Sequence, residues 1–210
     1  MEQDASATVF IIDDDADVCG MISNLVTSAG LPVETYGSAD EFLNAYAPSR
    51  PGCVVTDVRL PGMSGLELQE ALVRQNALLP VIVVTGHADV PMTVRAMKSH
   101  AIDVLEKPFN KQALLDRIQQ ALRTDAERRR GRASITDAAA RIATLTHREQ
   151  EIMDLIVEGL ANKQMAYRLG LSEKTIETHR SRVMKKMSVD SVAELVRMVL
   201  AVRSAGSQQS

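Results

Sequence analysis

Five short runs of mostly apolar residues, separated by helical stretches, occupy the first half of the chain. They cover about residues 8–12, 32–36, 52–57, 81–85 and 102–106. An alternation of strand and helix is typical of a parallel sheet covered by helices on both faces. The first, third and fourth runs are almost continuously apolar, as expected for strands buried on both sides. The front half is therefore predicted to be an α/β domain. Its helix starts are indicated by Ser38 ahead of Glu41, by Ser64 ahead of Glu67, and by Asp89 with Pro91 in the first turn.

Polar side chains follow these strands where each one ends. They are Asp13, Asp14, Asp57, Thr85 and Lys107. The carboxyl ends of parallel strands meet at one rim of a sheet, so we expect these groups to lie close together. Carboxylate oxygens, with waters and phosphate oxygens, are the ligands that Mg²⁺ prefers. The alternative is a helix cap or a turn, and Asp15 and Asp17 fit the first of these. The convergence of the others favours a phosphorylation site.

The net charge of −3 hides an asymmetry between the two halves. Residues 1–124 hold 16 acidic and 9 basic side chains, whereas residues 125–210 hold 11 acidic and 15 basic ones. The net charges are therefore −7 and +4. A basic second half points to nucleic acid, with a solvated basic surface as the alternative.

Other features exclude several classes of protein. No apolar run approaches the roughly 18 residues of a membrane span, and the N-terminus lacks the pattern of a signal peptide. Two cysteines are too few for a disulfide framework, and the four histidines are scattered, which argues against a His and Cys metal site. We expect a cytoplasmic protein with no membrane contact.

Residues 144–204 predict four helices and no strand. Thr146 with Glu149 forms a capping box for a helix that ends near Gly159, and Asn162 is predicted to cap a short helix over 163–169. Ser172, after the turn at Gly170, starts the third helix. This arrangement is a helix-turn-helix, and a generic helical bundle is the alternative.

The boundaries follow from these signals. The first domain covers residues 1–124, a partly helical linker covers 125–143, the helical domain covers 144–204, and 205–210 form a disordered tail. Ser191 with Glu194 forms the capping box of the last helix, which is expected to end near Val202.

The third helix of the second domain has two different faces. Ile176, Val183 and Met187 fall on one side together with Arg180, and the opposite side is polar. A polar helix after a tight turn suits the major groove of DNA, where lysine and arginine contact phosphates. Glu177 is a candidate for cytosine and Thr178 for a thymine methyl group. The predicted DNA contacts are Lys163, Lys174, Thr175, Glu177, Thr178, Ser181, Arg182 and Lys185.

The front half resembles the receiver domain of two-component response regulators, whose fold is a flavodoxin-like five-stranded sheet of order 2-1-3-4-5. The matching motifs are Asp13-Asp14, the loop from Asp57 to Gly62, Thr85-Gly86-His87 and Lys107-Pro108-Phe109. The resemblance implies phosphorylation on Asp57 and Mg²⁺ bound by Asp14, Asp57 and the carbonyl of Arg59, with Asp13 acting through water. It also implies that Thr85 and Lys107 contact the phosphate and that the Lys107–Pro108 peptide is cis. Val104 departs from the pattern, since many receivers have an aromatic switch residue there.

The back half, over 144–203, resembles the LuxR-type DNA-binding domain. The matching stretches are residues 145–152, 159–163 and 171–180. The combination resembles the NarL and FixJ group of regulators, and its details are most similar to FixJ proteins. That resemblance implies a histidine kinase, namely an oxygen-sensing haem kinase, together with promoter DNA, RNA polymerase and a homodimer formed through the phosphorylated receiver. It also implies activation of nitrogen-fixation and microaerobic genes, with another kinase and stimulus as the alternative.

Phosphorylation is expected to reshape one side of the receiver. This side comprises the helix at about 90–99, the fifth strand and the helix at about 111–122, with Val94, Met97, Ile102 and Val104 as candidates for the moving region.

Two rival functions remain open. Asp13-Asp14-Asp15 contains the Asp-x-Asp of haloacid dehalogenase phosphatases, in which Asp13 would be the nucleophile. The second rival is a receiver-like dimerisation module that no longer accepts phosphate. We expect a regulator that accepts phosphate and is not a turnover enzyme.

Overall fold

The structure is a computed structural model that describes residues 7–75, 77, 79–86, 94, 96–98 and 101–207. It divides into two compact units, Met1–Arg129 and Arg130–Ser210. None of the helices in the described part of the chain is long and apolar enough to cross a membrane.

The first unit contains a five-stranded parallel sheet of order β2-β1-β3-β4-β5, as predicted. The strands are β1 (Thr8–Ile12), β2 (Val33–Tyr36), β3 (Gly52–Asp57), β4 (Val81–Thr85) and β5 (Asp103–Glu106). Strands β1, β3 and β4 are buried almost throughout. Alternate side chains of each strand enter opposite cores, so that Phe10 and Val54 lie in one while Ile11 and Val55 lie in the other. The central strands therefore end in a buried rim.

Three helices of this unit begin at the expected capping residues. Asp15 caps α1 (Ala16–Ser28), Ser38 caps α2 (Ala39–Ala45), and Ser64 with Glu67 forms a capping box on α3 (Gly65–Arg74). Each cap satisfies amide groups that have no partner within the helix. The predicted start of the next helix, at Asp89 and Pro91, lies outside the described residues, as does His87.

The long helix α4 (Lys111–Ala143) has 33 residues and includes the whole stretch predicted as a partly helical linker. Two of its residues fasten it to the first unit. Asp125 is only 1% exposed and accepts a hydrogen bond from the amide of Gly52 at 2.9 Å. Arg129 pairs with Asp125 and donates to carbonyl oxygens of residues 48–50. The helix therefore continues past residue 124 because this polar contact holds it against the sheet.

The second unit contains four further helices around one apolar core. They are α5 (His147–Val157), α6 (Asn162–Leu169), α7 (Glu173–Met187) and α8 (Val192–Ser207). Ile152, Met165, Ile176, Val183 and Leu195 are fully buried in this core. The capping box of Thr146 and Glu149 is present, and Ser172 caps α7 as predicted.

Two expectations for this unit were wrong. Asn162 is the first residue of α6 and not its cap: the cap position is Ala161, whose amide donates to the side chain of Gln164. Residues 205–207 belong to α8 and not to a disordered tail, whereas residues 208–210 lie outside the described part of the chain. Half of the expected capping box of α8 is present, because the hydroxyl of Ser191 accepts a hydrogen bond from the amide of Glu194. The carboxylate of Glu194 accepts from the amide of Asp190, one residue before the expected Ser191.

Candidate functional site

Three of the predicted rim residues are bonded to one another in the structure. Lys107 Nζ donates to Asp13 Oδ2 at 2.7 Å and to Asp57 Oδ2 at 2.8 Å. These residues come from the ends of β1, β3 and β5, which are separated by up to 94 positions in sequence. Parallel pairing places all three strand ends at the same rim. The result is a lysine held between two carboxylates.

The surroundings of Lys107 favour its charged form. Burial works against the ammonium charge, but hydrogen bonds to Asp13 and Asp57 outweigh that effect and raise the pKa of Lys107. The side chain of Asp13 is almost fully buried, whereas that of Asp57 is 14% exposed. Of the two carboxylates bonded to Lys107, Asp57 is therefore the one closer to solvent.

Backbone amides hold both carboxylates in position. The amide of Arg59 donates to Asp57 Oδ1 at 3.1 Å, and the amide of Asp15 donates to Asp13 Oδ1 at 3.0 Å. The second oxygen of each carboxylate faces Lys107. The loop after β3 and the start of α1 thus orient the acids before any ligand arrives.

Thr85 and Pro108 complete the predicted set at this rim. Thr85 is buried at the end of β4, and its carbonyl oxygen accepts a 2.7 Å hydrogen bond from the amide of Lys107. The Lys107–Pro108 peptide is cis, as the resemblance implies. Thr85 and Lys107 are therefore adjacent through the backbone of β4 and β5.

Two residues beside the rim were not predicted from the sequence. A Cβ atom on Gly65 would lie 2.0 Å from the carbonyl oxygen of Asp57, so only glycine lets α3 begin this close to the loop. Cys19 is buried and donates its thiol hydrogen to the carbonyl oxygen of Asp13. The sequence held a signal for this glycine, because Gly65 directly follows the helix cap Ser64 and glycine is a poor helix former.

Oxygen ligands suitable for Mg²⁺ are present at the rim. Asp14 is exposed at the end of β1 and Asp57 lies at the neighbouring strand end. Carboxylate oxygens such as theirs, and carbonyl oxygens such as that of Arg59, are the hard donors that this ion prefers. Within the described ranges, no group of three His, Cys, Asp or Glu side chains is arranged to enclose a metal ion.

The predicted moving region is only partly described. Val94 and Met97 are largely exposed, while Ile102 and Val104 pack half-buried against the two cores of the first unit. Val104 is therefore a packing residue at the place where many receivers have an aromatic switch. Residues 90–93, 95 and 99 of this segment lie outside the described residues.

The second predicted site is the polar face of α7. Ile176, Val183 and Met187 are fully buried, as their spacing predicts. The opposite face is exposed, and Thr175 at its edge is half-buried. The hydroxyl group of Thr178 donates to the carbonyl oxygen of Lys174 at 2.9 Å. The exposed members of the predicted DNA set on this helix are Lys174, Glu177, Thr178, Ser181, Arg182 and Lys185.

Ion pairing divides the basic residues of the second unit into two groups. Arg148, Arg168 and Lys186 form salt bridges with acids of the same unit. By contrast, the four predicted cationic DNA contacts form no salt bridge with any described residue, and these are Lys163, Lys174, Arg182 and Lys185. The four predicted cations are therefore available to an external anion, as are Arg180 and Arg197, which also form no salt bridge with any described residue.

Two known family models match this chain, and each covers a different half of it. The model for the response regulator receiver domain matches residues 9–119, and the model for bacterial regulatory proteins of the luxR family matches residues 143–199. The chain therefore belongs to the response regulator family, as a receiver joined to a LuxR-type DNA-binding domain. It is a phosphorylation-dependent regulator of transcription, of the kind that includes FixJ.

Individual relatives cover nearly the whole chain. Nodulation protein W of Bradyrhizobium diazoefficiens is 46% identical over 197 residues, which are 94% of this chain and 87% of the relative. The transcriptional regulatory protein FixJ of Azorhizobium caulinodans is also 46% identical, over 93% of this chain and 92% of the relative. The solved structure of the response regulator StyR is 47% identical, with a TM-score of 0.82, over 93% of this chain and 98% of that chain.

Proposed function

We propose that Asp57 accepts a phosphoryl group from a histidine kinase and that this modification controls DNA binding by the second unit. The observation that carries the proposal is the lysine shared between Asp13 and Asp57 at the rim of the sheet. A cation held between two acids can pair with the phosphoryl oxygens once one of the acids has become an acyl phosphate. The DNA-binding domain supplies the output.

The arrangement of Asp57 favours it as the nucleophile. Arg59 holds Oδ1, so the carboxylate is oriented, and Oδ2 faces Lys107 at the more exposed side of the cluster. Attack forms a new bond between oxygen and phosphorus while the bond from phosphorus to the donor breaks. Lys107 then compensates the charge of the phosphoryl oxygens, and Thr85 supplies a hydroxyl at the same rim.

The Mg²⁺ ligands that we propose are Asp14, Asp57 and the carbonyl oxygen of Arg59, with Asp13 acting through water. The ion would neutralise negative charge on the phosphoryl oxygens. Asp14 and Asp57 could share one ion because they lie at the ends of β1 and β3, which pair directly.

Asp13 is a poor candidate for a phosphatase nucleophile of the haloacid dehalogenase type. Its side chain is buried, and its two oxygens are bonded to Lys107 and to the amide of Asp15. We therefore infer that the protein accepts phosphate once and transmits a signal, without turning over small phosphate esters. Mapping of the phosphate distinguishes the two, since a phosphatase would carry it on Asp13.

The output that we propose is a homodimer that places two α7 helices on paired half-sites of promoter DNA and activates transcription together with RNA polymerase. A phosphoryl group moves the equilibrium only as far as it prefers the active state, and a switch from 1:99 to 99:1 needs about 5.5 kcal/mol. From the resemblance to FixJ proteins we also propose nitrogen-fixation or microaerobic genes as targets and an oxygen-sensing haem kinase as the partner. The alternative is the same architecture serving another kinase and stimulus. Because the operator lies on chromosomal DNA, the protein would act in the cytoplasm.

The test is phosphorylation by acetyl phosphate with Mg²⁺, followed by sedimentation and DNA binding. The wild-type chain is expected to dimerise and to bind DNA more tightly after phosphorylation, and the Asp57→Asn chain is expected to do neither. The proposal would be wrong if Asp57→Asn dimerised and bound DNA like the phosphorylated wild type. Phosphate found on Asp13 would contradict it as well.

A further inference from the structure

The hydroxyl group of Thr178 is already used within its own helix. Its oxygen lies 2.9 Å from the carbonyl oxygen of Lys174, to which it donates its only hydrogen. A threonine hydroxyl bonded to the preceding turn holds the side chain in one rotamer. The side chain therefore has no hydrogen left to donate to a base edge. Its hydroxyl oxygen can still accept a hydrogen bond, and its methyl group is available for apolar contact.

Thr178 lies in the middle of a row along the exposed face of α7. Lys174 and Arg182 are four residues before and after it, a spacing that places all three on one face of a helix. All three are exposed, and the two cations form no salt bridge with any described residue. Phosphates or guanine held by these cations would bring the centre of the row against the bases.

We propose that Thr178 recognises a thymine through contact between the two methyl groups, so that each half-site of the operator contains a thymine opposite this residue. The proposal rests on the proposed DNA-binding function and adds a base preference to it. In the major groove, thymine alone among the four bases presents a methyl group.

Replacement of thymine by deoxyuridine isolates this contact, because the two bases differ only in that methyl group. Operators are first selected from random duplexes with the full chain after treatment with acetyl phosphate and Mg²⁺. Each thymine of the selected site is then replaced in turn. One position in each half-site is expected to lose about fourfold in affinity, which corresponds to ~0.8 kcal/mol for one buried methyl group.

Two variants of Thr178 separate its methyl group from its hydroxyl. Thr178→Ser keeps the hydroxyl and its bond to Lys174 but lacks the methyl, so thymine and deoxyuridine should bind equally. Thr178→Val keeps a methyl and lacks the hydroxyl, so the fourfold preference should persist. Because residue 178 is exposed, both variants should fold, and circular dichroism of each chain checks this.

The possible results distinguish this proposal from the one on which it rests. Enrichment of a specific site whose affinity is unchanged by deoxyuridine at every position would overturn the thymine contact and leave DNA binding intact. A preference that persists in Thr178→Ser, or a selected cytosine opposite residue 178, would do the same. Failure of the phosphorylated chain to enrich any DNA would overturn both proposals.

Discussion

A buried or half-buried aspartate lies beside a basic side chain at each end of strand β3. The two ends differ in how many hydrogen-bond partners each charged group has. At the first end, Asp125 accepts from Gly52 and from Arg129, and the remaining nitrogens of Arg129 donate to backbone carbonyls. At the other end, Lys107 is divided between Asp13 and Asp57. At the first end both oxygens of Asp125 and all the side-chain nitrogens of Arg129 are hydrogen-bonded, and the contact joins α4 to the sheet. At the other end two carboxylates share one lysine, and the excess negative charge can attract Mg²⁺ for phosphoryl transfer.

This difference separates a structural carboxylate from a reactive one. A buried ion pair with all its hydrogen bonds made is costly to break but has little capacity for a new ligand. A cluster in which two acids share one cation is less satisfied, and such sites trade stability for function. The same residue types therefore serve two purposes, according to the number of partners around them.

The largest expected effect is on phosphorylation. Asp57→Asn removes the nucleophile and should reduce phosphoryl incorporation from acetyl phosphate to background, while Asp125→Asn should leave it measurable. Incorporation is followed by the mobility shift of the phosphorylated chain in a phosphate-binding gel. Loss of phosphorylation in both variants would show that the two ends of β3 are not separate in function.

The second effect is on the stability of the fold, and here a change at Asp125 should matter more than a change at Asp57. Asp125→Ala leaves Arg129 without its carboxylate and the amide of Gly52 without a partner, so the free energy of unfolding should fall by about 3 kcal/mol. Asp57→Asn should change it by less than about 1 kcal/mol, because Lys107 retains Asp13. Urea denaturation of the two variants measures both values. Equal losses would contradict the division into structural and reactive carboxylates.

A third carboxylate, Glu149 in the second unit, extends the comparison to pH. It accepts from Lys186 and from the amide and hydroxyl of Thr146, and these bonds lower its pKa from 4.5 to about 2. A lowered pKa means that the stabilisation is fully present above about pH 4.5 and is lost as pH falls through about 2. Urea denaturation between pH 7 and 2 should show a falling stability.

Glu149→Gln is the matched control for this pH dependence. It should lose about 2 kcal/mol at neutral pH, where the carboxylate is charged, and should show a weaker dependence on pH. If the variant and the wild type lost stability in parallel over this range, other carboxylates would be responsible.

The smallest effect is expected for an ion pair that is open to solvent. Arg50 pairs with Glu34 near the first end of β3. The side chains of Arg50 and Glu34 are 34% and 41% exposed. Glu34→Gln should therefore cost only about 0.5 kcal/mol, and the difference should shrink further in 1 M salt. A loss comparable to that of Asp125→Ala would mean that exposure does not explain the ranking.

Local patterns in the sequence determined the strands, several helix caps and the convergence of the residues at the rim. The apolar runs predict five parallel strands within one residue of their observed bounds, because burial on both faces demands continuous apolar residues. The caps at Ser38, Ser64 and Thr146 were predictable because they depend only on residues within one turn. The convergence of Asp13, Asp57 and Lys107 followed from parallel topology.

Only the tertiary structure decided which of these charged groups are paired. The polar stretch after residue 124 was predicted as a partly helical linker, yet Asp125 is buried because it meets an amide that is 73 positions away in sequence. The division of the basic residues into paired and unpaired sets likewise depends on acids from other helices, such as Glu149 for Lys186. Periodicity and capping are local properties, whereas the satisfaction of a charge depends on partners that only the folded chain brings within hydrogen-bonding distance.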